Sequence, residues 1–343
     1  MASHSIIGLD IGSKWIKALQ LSESNGQFRV TEFGALEIPP QYSLADAIAE
    51  LIGSRRWKTK RVVSSVSGRF VFVRYINMPV MSDEELGNAA KYELGKYIPV
   101  EVDEVLHDSQ KLEELPPQEG QEPEMRVLLV AAKKTFIEEH IELLRTAGLV
   151  PQIIDVDSFA IGNAYELTGI INPQAIRQGK LVALADVGAA KTNINIMSDA
   201  MSFFTREFYK GGDDVTDAIS KKLGIEPKEA EALKRNPGGD LPRVEECISG
   251  VLEDICHDIN ISIDYFENQY DKKVEEIFIT GGSSNCVGMQ ETLEKTVQKP
   301  VSKWNPMQYV EADLSSPDAM QQLTDGGSQI AIALGLASRL RKD

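Results

Sequence analysis

Two aspartate–glycine pairs carry the residue types best suited to chemistry in this sequence. In residues 6–21, IIGLDIGSKWIKALQL, Asp10 precedes Gly12 by two positions; in residues 181–196, LVALADVGAAKTNINI, Asp186 precedes Gly188 in the same way. Glycine lets a turn enter conformations closed to other residues and lets backbone N–H groups approach a ligand without a Cβ in the way. Successive N–H groups in such a turn cradle a phosphate, and an adjacent carboxylate suits the magnesium that travels with it. On this reading the N–H groups of Gly12, Ser13 and Lys14, and of Gly188 and Ala189, meet phosphates. Asp10 and Asp186 hold the metal directly or through water, while Lys17 and Lys191, with Thr192 beside it, add charge-assisted contacts. A single D-x-G turn is an ordinary hairpin feature, but two in register about half a chain apart point to a duplicated site.

Each pair sits between a short apolar run and a second run with partial alternation, which reads as strand, tight turn, strand. Two further glycine turns follow in order. Gly211, Gly212 and Asp213 lead into a helix over 210–223, and the strand of EEIFITGGSSN runs into Gly281, Gly282 and Ser283. A turn beside a regular element is the setting a phosphate or nucleotide cradle needs. Between these turns, a helix over 225–235 carries Glu231 and Lys234, a charge pair that in isolation would be an ordinary solvated one.

The remaining elements frame these turns. Residues 28–38 read as a third strand, 43–52 as a short amphipathic helix and 61–78 as two β-rich runs forming another strand pair. Ser82 with Glu85 opens a capped helix over 82–97, and Thr135 with Glu138 opens another that stops at Gly148. Residues 111–124, acidic and proline-rich, read as a surface loop ahead of a buried strand at 125–132. The segment 79–150 is therefore expected to be a compact helix–strand–strand–helix module. Further helices are expected over 155–168, over 244–270 with Cys247 and Cys256 in its apolar stripe, and over 290–297, with 311–327 as loop. The chain closes on a small-residue helix over 328–340, where Ala331, Ala333, Gly335 and Ala337 suit close packing and Arg339, Arg341 and Lys342 suit its terminal dipole.

At 343 residues the chain exceeds one ordinary domain, and its 42% hydrophobic and 26% charged residues are those of a globular protein. A formal net charge of −16 argues against nucleic acid or an anionic membrane surface as the main partner. The three cysteines form no C-x-x-C pair and the four histidines are scattered, so reduced thiols are expected and a zinc site is not. With no basic-then-apolar leader and no long uninterrupted apolar window, no signal peptide or membrane span is expected and the protein is placed in the cytoplasm.

The ordered set of glycine turns resembles the actin-like ATPases, among them actin, the seventy-kilodalton chaperones, sugar kinases, MreB and FtsA. That resemblance implies an α/β fold of two lobes with duplicated core domains, whose two hairpins grip ATP or ADP with Mg2+ while the late glycine pair faces adenosine. The A-E-x-x-K pattern at Ala230 is similar to the helix by which MreB contacts ribose and base, which implicates Glu231 and Lys234. Within the superfamily the chain most resembles the type IV pilus assembly PilM family, through GLDIGSKWIK, INMPVMSDEELGNAAKYELGKYIPVEVDEV, LLVAAKKTFIEEHIELLRTAGLVPQIIDVDSFA, ADVGAAKTNI and FITGGSSN. It departs from that pattern at Ser283, where a third glycine is common, and at Cys286-Val287, where a hydrophobic–proline turn is common.

The resemblance implies a domain layout. A first core domain of 1–78 is completed by 151–180 and 328–343, with an α+β insertion at 79–150. A second core domain comprises 181–210 and 275–327, with a helical subdomain at 211–274. By matching the chaperones, Asp157 is the candidate for positioning an attacking water. The implied function is an ATP-binding scaffold with slow hydrolysis at most, recruited to the inner membrane by the N-terminal cytoplasmic tail of a PilN-like protein, with other pilus motor proteins as further partners. That tail is expected in a groove near 61–78 and 82–97. Two other classes compete: a phosphotransferase of the sugar or acetate kinase type, and an FtsA-like filament former. A kinase would carry larger insertions for its acceptor, and an FtsA-like chain would end in a membrane-binding helix.

Overall fold

The computed structural model describes residues 4–116, 120, 122–314 and 316–339. Residues 66–146 form one compact unit, and the rest of the described chain forms another. The larger unit begins with an antiparallel meander of β1 (His4–Ile11), β2 (Trp15–Ser24) and β3 (Gln27–Glu37). Next comes α1 (Leu44–Gly53), capped by the Ser43 hydroxyl accepting from the Asp46 N–H, and then β4 (Arg61–Val66), which lies parallel to β1.

The smaller unit is a three-stranded antiparallel sheet in the order β5-β7-β6, formed by β5 (Val71–Pro79), β6 (Val105–Glu114) and β7 (Glu124–Lys133), with helices α2 (Asp83–Leu94) and α3 (Lys134–Thr146). The Ser82–Glu85 capping box is present and fixes the start of α2, so that Leu86, Ala90 and Leu94 bury against Phe72, Ile76, Met125 and Val127. Tyr92, Tyr97 and Leu106 remain exposed at its surface.

The larger unit resumes with β8 (Val150–Val156), which lies next to β4, and α4 (Asp157–Ile171). A second meander follows, of β9 (Val182–Val187), β10 (Thr192–Ser198) and β11 (Met201–Phe208), and then α5 (Gly212–Leu223), α6 (Pro227–Arg235) and the long α7 (Leu241–Tyr270). The chain continues through β12 (Glu276–Thr280), α8 (Met289–Val297), β13 (Val301–Lys303), β14 (Glu311–Ala312), α9 (Pro317–Asp325) and α10 (Ala331–Ala337). The two large sheets run β14-β3-β2-β1-β4-β8 and β11-β10-β9-β12-β13. In each, three consecutive antiparallel strands are joined by a parallel strand beside the first, β4 against β1 and β12 against β9. The duplication expected from the two D-x-G turns is thus written in strand order.

Small residues let the core close. A Cβ added at Gly335 of α10 would collide with the Ala160 carbonyl of α4, and one at Gly8 of β1 would collide with the Ala333 carbonyl of α10. Helix α10 is buried along its whole length, and α4 joins it in one apolar cluster with Ile6, Leu19 and Phe33 of the first sheet and Val182, Leu184 and Phe278 of the second. Each large side chain buried this way contributes about 1.5–3 kcal/mol. Cys247 and Cys256 lie in a second cluster between α7 and the second sheet, as expected.

Several local expectations need correction. The β-rich runs of 61–78 do not pair with each other: β4 joins the first large sheet and β5 joins the smaller unit. Residues 111–114 finish β6: Lys111, Glu113 and Glu114 pair with Val127, Arg126 and Met125 of β7, with a register shift between Lys111 and Glu113. Thr135 lies inside α3, which begins at Lys134, and is therefore not a cap. Helix α4 starts at Asp157 because β8 occupies the preceding residues, and 311–327 contains β14 and α9, the latter capped by Ser316. Strands β11 and β13 had no expectation attached to them. Arg341 and Lys342 lie outside the described residues.

Candidate functional site

The two hairpins close alike. Gly12 N–H donates to Trp15 O at 3.0 Å and Gly188 N–H to Lys191 O at 2.9 Å, and a Cβ at either glycine would press on the same carbonyl at 2.9 Å. Two residues before each turn glycine, Asp10 stands opposite Lys17 and Asp186 opposite Asn193. Strand β12 runs parallel to β9 with Thr280 level with Asp186, and the chain then turns at Gly281, whose φ of +88° favours glycine. A side chain at Gly281 would also meet Val187 O at 2.5 Å and Asp186 Oδ1 at 2.6 Å. Ser283 Oγ donates to Gly188 O at 2.8 Å and so ties this turn to the second hairpin.

These turns enclose a cavity of about 690 Å3 within the larger unit. Asp10, Gly12, Ser13, Lys14, Lys17, Asp157, Asp186, Gly188, Ala189, Lys191, Glu231, Lys234, Gly281, Gly282 and Ser283 all line it. Four sequence candidates, Gly211, Gly212, Asp213 and Thr192, are not among the lining residues. The N–H groups of Gly212 and Asp213 donate to Gly188 O at 3.0 Å and Ala189 O at 2.8 Å, and that of Gly211 donates to Asp214 Oδ2 at 2.8 Å. Thr192 Oγ1 donates to Lys210 O at 2.9 Å. The Gly212, Asp213 and Thr192 bonds brace the second hairpin against α5 and its entry, while the Gly211 N–H is capped by Asp214 of α5 itself.

The sequence reading passed over Trp15, Asn193, Tyr209, Arg235, Asn285 and Gln329, which also line the cavity. Arg235 had a usable signal, one helical turn after Glu231. Gln329 had none, since it reaches the cavity from a distant short helix before α10.

Lysines and carboxylates are paired on one wall. Lys17 Nζ donates to Asp10 Oδ2 at 2.8 Å; burial opposes its charge, but Asp10, Asp186 and Asp157 outweigh it and raise the ammonium's pKa. Lys191 donates to Asp157 Oδ2 at 2.8 Å and Glu207 Oε2 at 2.9 Å, and its pKa is likewise raised against the effect of burial. Asp186 differs. Burial pushes its carboxyl up to about 6; the Lys17 charge opposes the rise, Asp10 and Asp157 reinforce it, and Lys191 opposes it again.

On the other wall Glu231 is a hub. Its Oε2 accepts from Lys234 at 2.7 Å and Thr216 at 2.5 Å, and its Oε1 accepts from Arg235 at 2.8 Å. Burial would raise its pKa, but the Lys234 and Thr216 hydrogen bonds prevail and hold it at about 2.

Among the described residues no group of three or more His, Cys, Asp or Glu side chains is placed to hold a metal by itself. The donors present fit magnesium in another way: this ion keeps several waters and is held by one or two carboxylates together with substrate phosphates. Asp186, buried without a cross-strand cation, offers one such carboxylate and Asp10 the other. Asp157 is committed elsewhere, accepting from Ser65 Oγ at 2.5 Å and from Lys191.

Residues 8–341 match the family model described as type IV pilus assembly protein PilM. A solved PilM–PilN type IV pilus biogenesis complex contains a similar chain, with 28% identity, a TM-score of 0.82 and 98% of both chains covered. The cell division protein FtsA of Streptococcus pneumoniae is 26% identical over 265 residues, 68% of this chain; the chain spans 56% of that relative's length. MreB 5 of Spiroplasma citri, in a structure bound to AMPPNP, shares the fold with a TM-score of 0.52 at 10% identity, covering 100% of this chain and 97% of that one. The fold is therefore actin-like, one that a nucleotide-bound bacterial protein also adopts.

Proposed function

The chain belongs to the family of the type IV pilus assembly protein PilM, and from that premise we propose that it is a cytoplasmic, nucleotide-binding scaffold of pilus biogenesis. Its cavity takes ATP or ADP with Mg2+, and the N-terminal cytoplasmic tail of a PilN-like inner-membrane protein recruits it. The observation that carries the nucleotide reading is the convergence of both D-x-G hairpins, Glu231 and the Gly281 turn on one cavity.

In this reading the amides of Gly12, Ser13, Lys14, Gly188 and Ala189 hold the phosphates, and Lys17 adds charge. Asp10 and Asp186 hold the metal, which supplies neutralisation of phosphate charge. Glu231, Lys234 and Ser283 face the nucleoside, while Gly211, Gly212, Asp213 and Thr192 act by fixing the second hairpin. The four-part division of the chain into two core domains, an insertion and a helical subdomain belongs to the same proposal.

The partner reading is supported by likeness to the PilM chain solved together with PilN. The 66–146 unit offers exposed apolar side chains, Tyr92, Tyr97 and Leu106, of the kind that anchor a peptide. Among the described residues no helix is long and apolar enough to cross a membrane, which fits recruitment through a partner.

The test is calorimetric titration of a synthetic PilN-like tail peptide into the full chain, with and without Mg-ATP, and into Tyr92→Ser and Leu106→Ser. Binding is expected, weakened in at least one variant, with an affinity that changes when nucleotide is present. Binding untouched by either substitution would move the peptide off this unit, and no binding under any condition would remove the partner.

A further inference from the structure

The two hairpins meet the helices beneath them by different means. The second is fixed to α5 by main-chain hydrogen bonds from Gly212 and Asp213. The first reaches α5 and α6 through the ends of long side chains. Lys14 Nζ forms an ion pair with Asp213 and lies 3.5 Å from Glu231 Oε2. One residue on, the Arg235 guanidinium carbon lies 5.8 Å from the centre of the Trp15 ring. Lys14, Trp15, Glu231 and Arg235 all line the cavity, so these contacts span it.

We propose that the Lys14–Asp213–Glu231 contact and the Trp15–Arg235 stack form a latch that closes the ligand-free cavity and sets the rate at which nucleotide enters and leaves. This regulation rests on the nucleotide reading of the same cavity. The latch is built to open. The Lys14 and Asp213 side chains are 33% and 40% exposed, so solvent and salt screen their attraction. When Lys14 departs, Glu231 keeps Lys234, Thr216 and Arg235 and is not left as an unpaired buried charge. The stack adds a contact that yields with the same movement, since Trp15 follows Lys14 directly in the turn. An entering nucleotide that uses Glu231 therefore competes with Lys14 for one carboxylate.

The experiment uses the full chain carrying Trp57→Phe, which leaves Trp15 and the buried Trp304 as the only tryptophans. Acrylamide quenching without nucleotide reads the cover over Trp15, and stopped-flow mixing with a fluorescent ATP analogue reads entry. Lys14→Met is expected to raise both the quenching and the association rate, the latter by about 1.5- to fivefold, the range an exposed ion pair supports. Lys14→Arg is expected to behave as the parent. Raising salt from about 0.05 to about 0.5 M acts on the charged ligand in both proteins, and should narrow the difference in entry rate between the parent and Lys14→Met. Quenching in Lys14→Met equal to the parent, or an equal salt response in both, overturns the latch. If the analogue binds to none of the proteins, the nucleotide reading falls, while quenching still decides whether Lys14 covers Trp15.

Discussion

Lys17 faces Asp10 across the first hairpin with its Nζ 2.8 Å from Oδ2, whereas the same position of the second hairpin places Asn193 opposite Asp186. Two strands with matching registers thus carry one carboxylate paired with a lysine and one whose pKa burial pushes up to about 6. The contrast singles out Asp186 as the carboxylate to test for a response to pH and to a cation.

A raised folded-state pKa means that ionised Asp186 works against folding above about pH 6, and the penalty is relieved as pH falls from about 6 towards its unfolded value of 3.8. The size is of the order of 3 kcal/mol at most. Thermal denaturation of the ligand-free protein should show Asp186→Asn more stable than the parent at pH 7.5, with the gap closing by pH 4.5. Mg-nucleotide, which needs the ionised form, should bind the parent more weakly below pH 6.

Asp10→Asn keeps an acceptor for Lys17 and removes the charge. Calorimetry with Mg-ATP should show affinity reduced by about 10- to 100-fold or more, the loss typical when a metal's carboxylate support is removed. A circular dichroism spectrum like that of the parent is expected, because Lys17 retains Asp186 and Asp157 nearby. Unchanged affinity would remove Asp10 from the metal site.

Hydrolysis should be slow. Asp157, the one carboxylate proposed to order a water, already accepts from Ser65 and is paired with Lys191. A base so engaged has little capacity to draw a proton from water, so phosphate release below about 1 per second is expected. Faster turnover by the purified protein would contradict this.

The contact between α10 and α4 admits no extra atoms. Gly335→Ala puts a Cβ into the Ala160 carbonyl, and strain of this kind in a closed core should cost about 3 kcal/mol or more. A Gly53→Ala control, at a glycine with open space around its Cβ position, should leave the melting temperature nearly unchanged.

What the sequence made legible was whatever local chemistry specifies. The two D-x-G hairpins, the Ser82–Glu85 capping box and the apolar stripe of α7 are each encoded within one element, and each is where its residues placed it. The lining of the cavity was legible where the two hairpins supply it, because the duplicated motif names those residues. Partnership at a distance was not. Nothing in 61–78 says that β4 and β5 belong to different sheets, because strand pairing is decided by neighbours far along the chain. Strand β14 has two residues, too short to carry a period, and pairs with β3 from nearly 300 residues away. Gly211 and Gly212 show the same limit at the site: their type suited a phosphate cradle, but carbonyls of the second hairpin claim the amide of Gly212.

Strands β4 and β8 are neighbours in the first sheet, yet the whole 66–146 unit lies between them in the chain. To the sheet, that unit is one very long loop whose two ends meet. Closing such a loop depends on its length only logarithmically, each doubling adding about 0.6 kcal/mol. The core can therefore accept changes in the size or content of this segment without altering the hairpins that line the cavity. None of the residues lining the cavity belongs to the 66–146 unit, so damage to the fold of that unit need not disable the cavity.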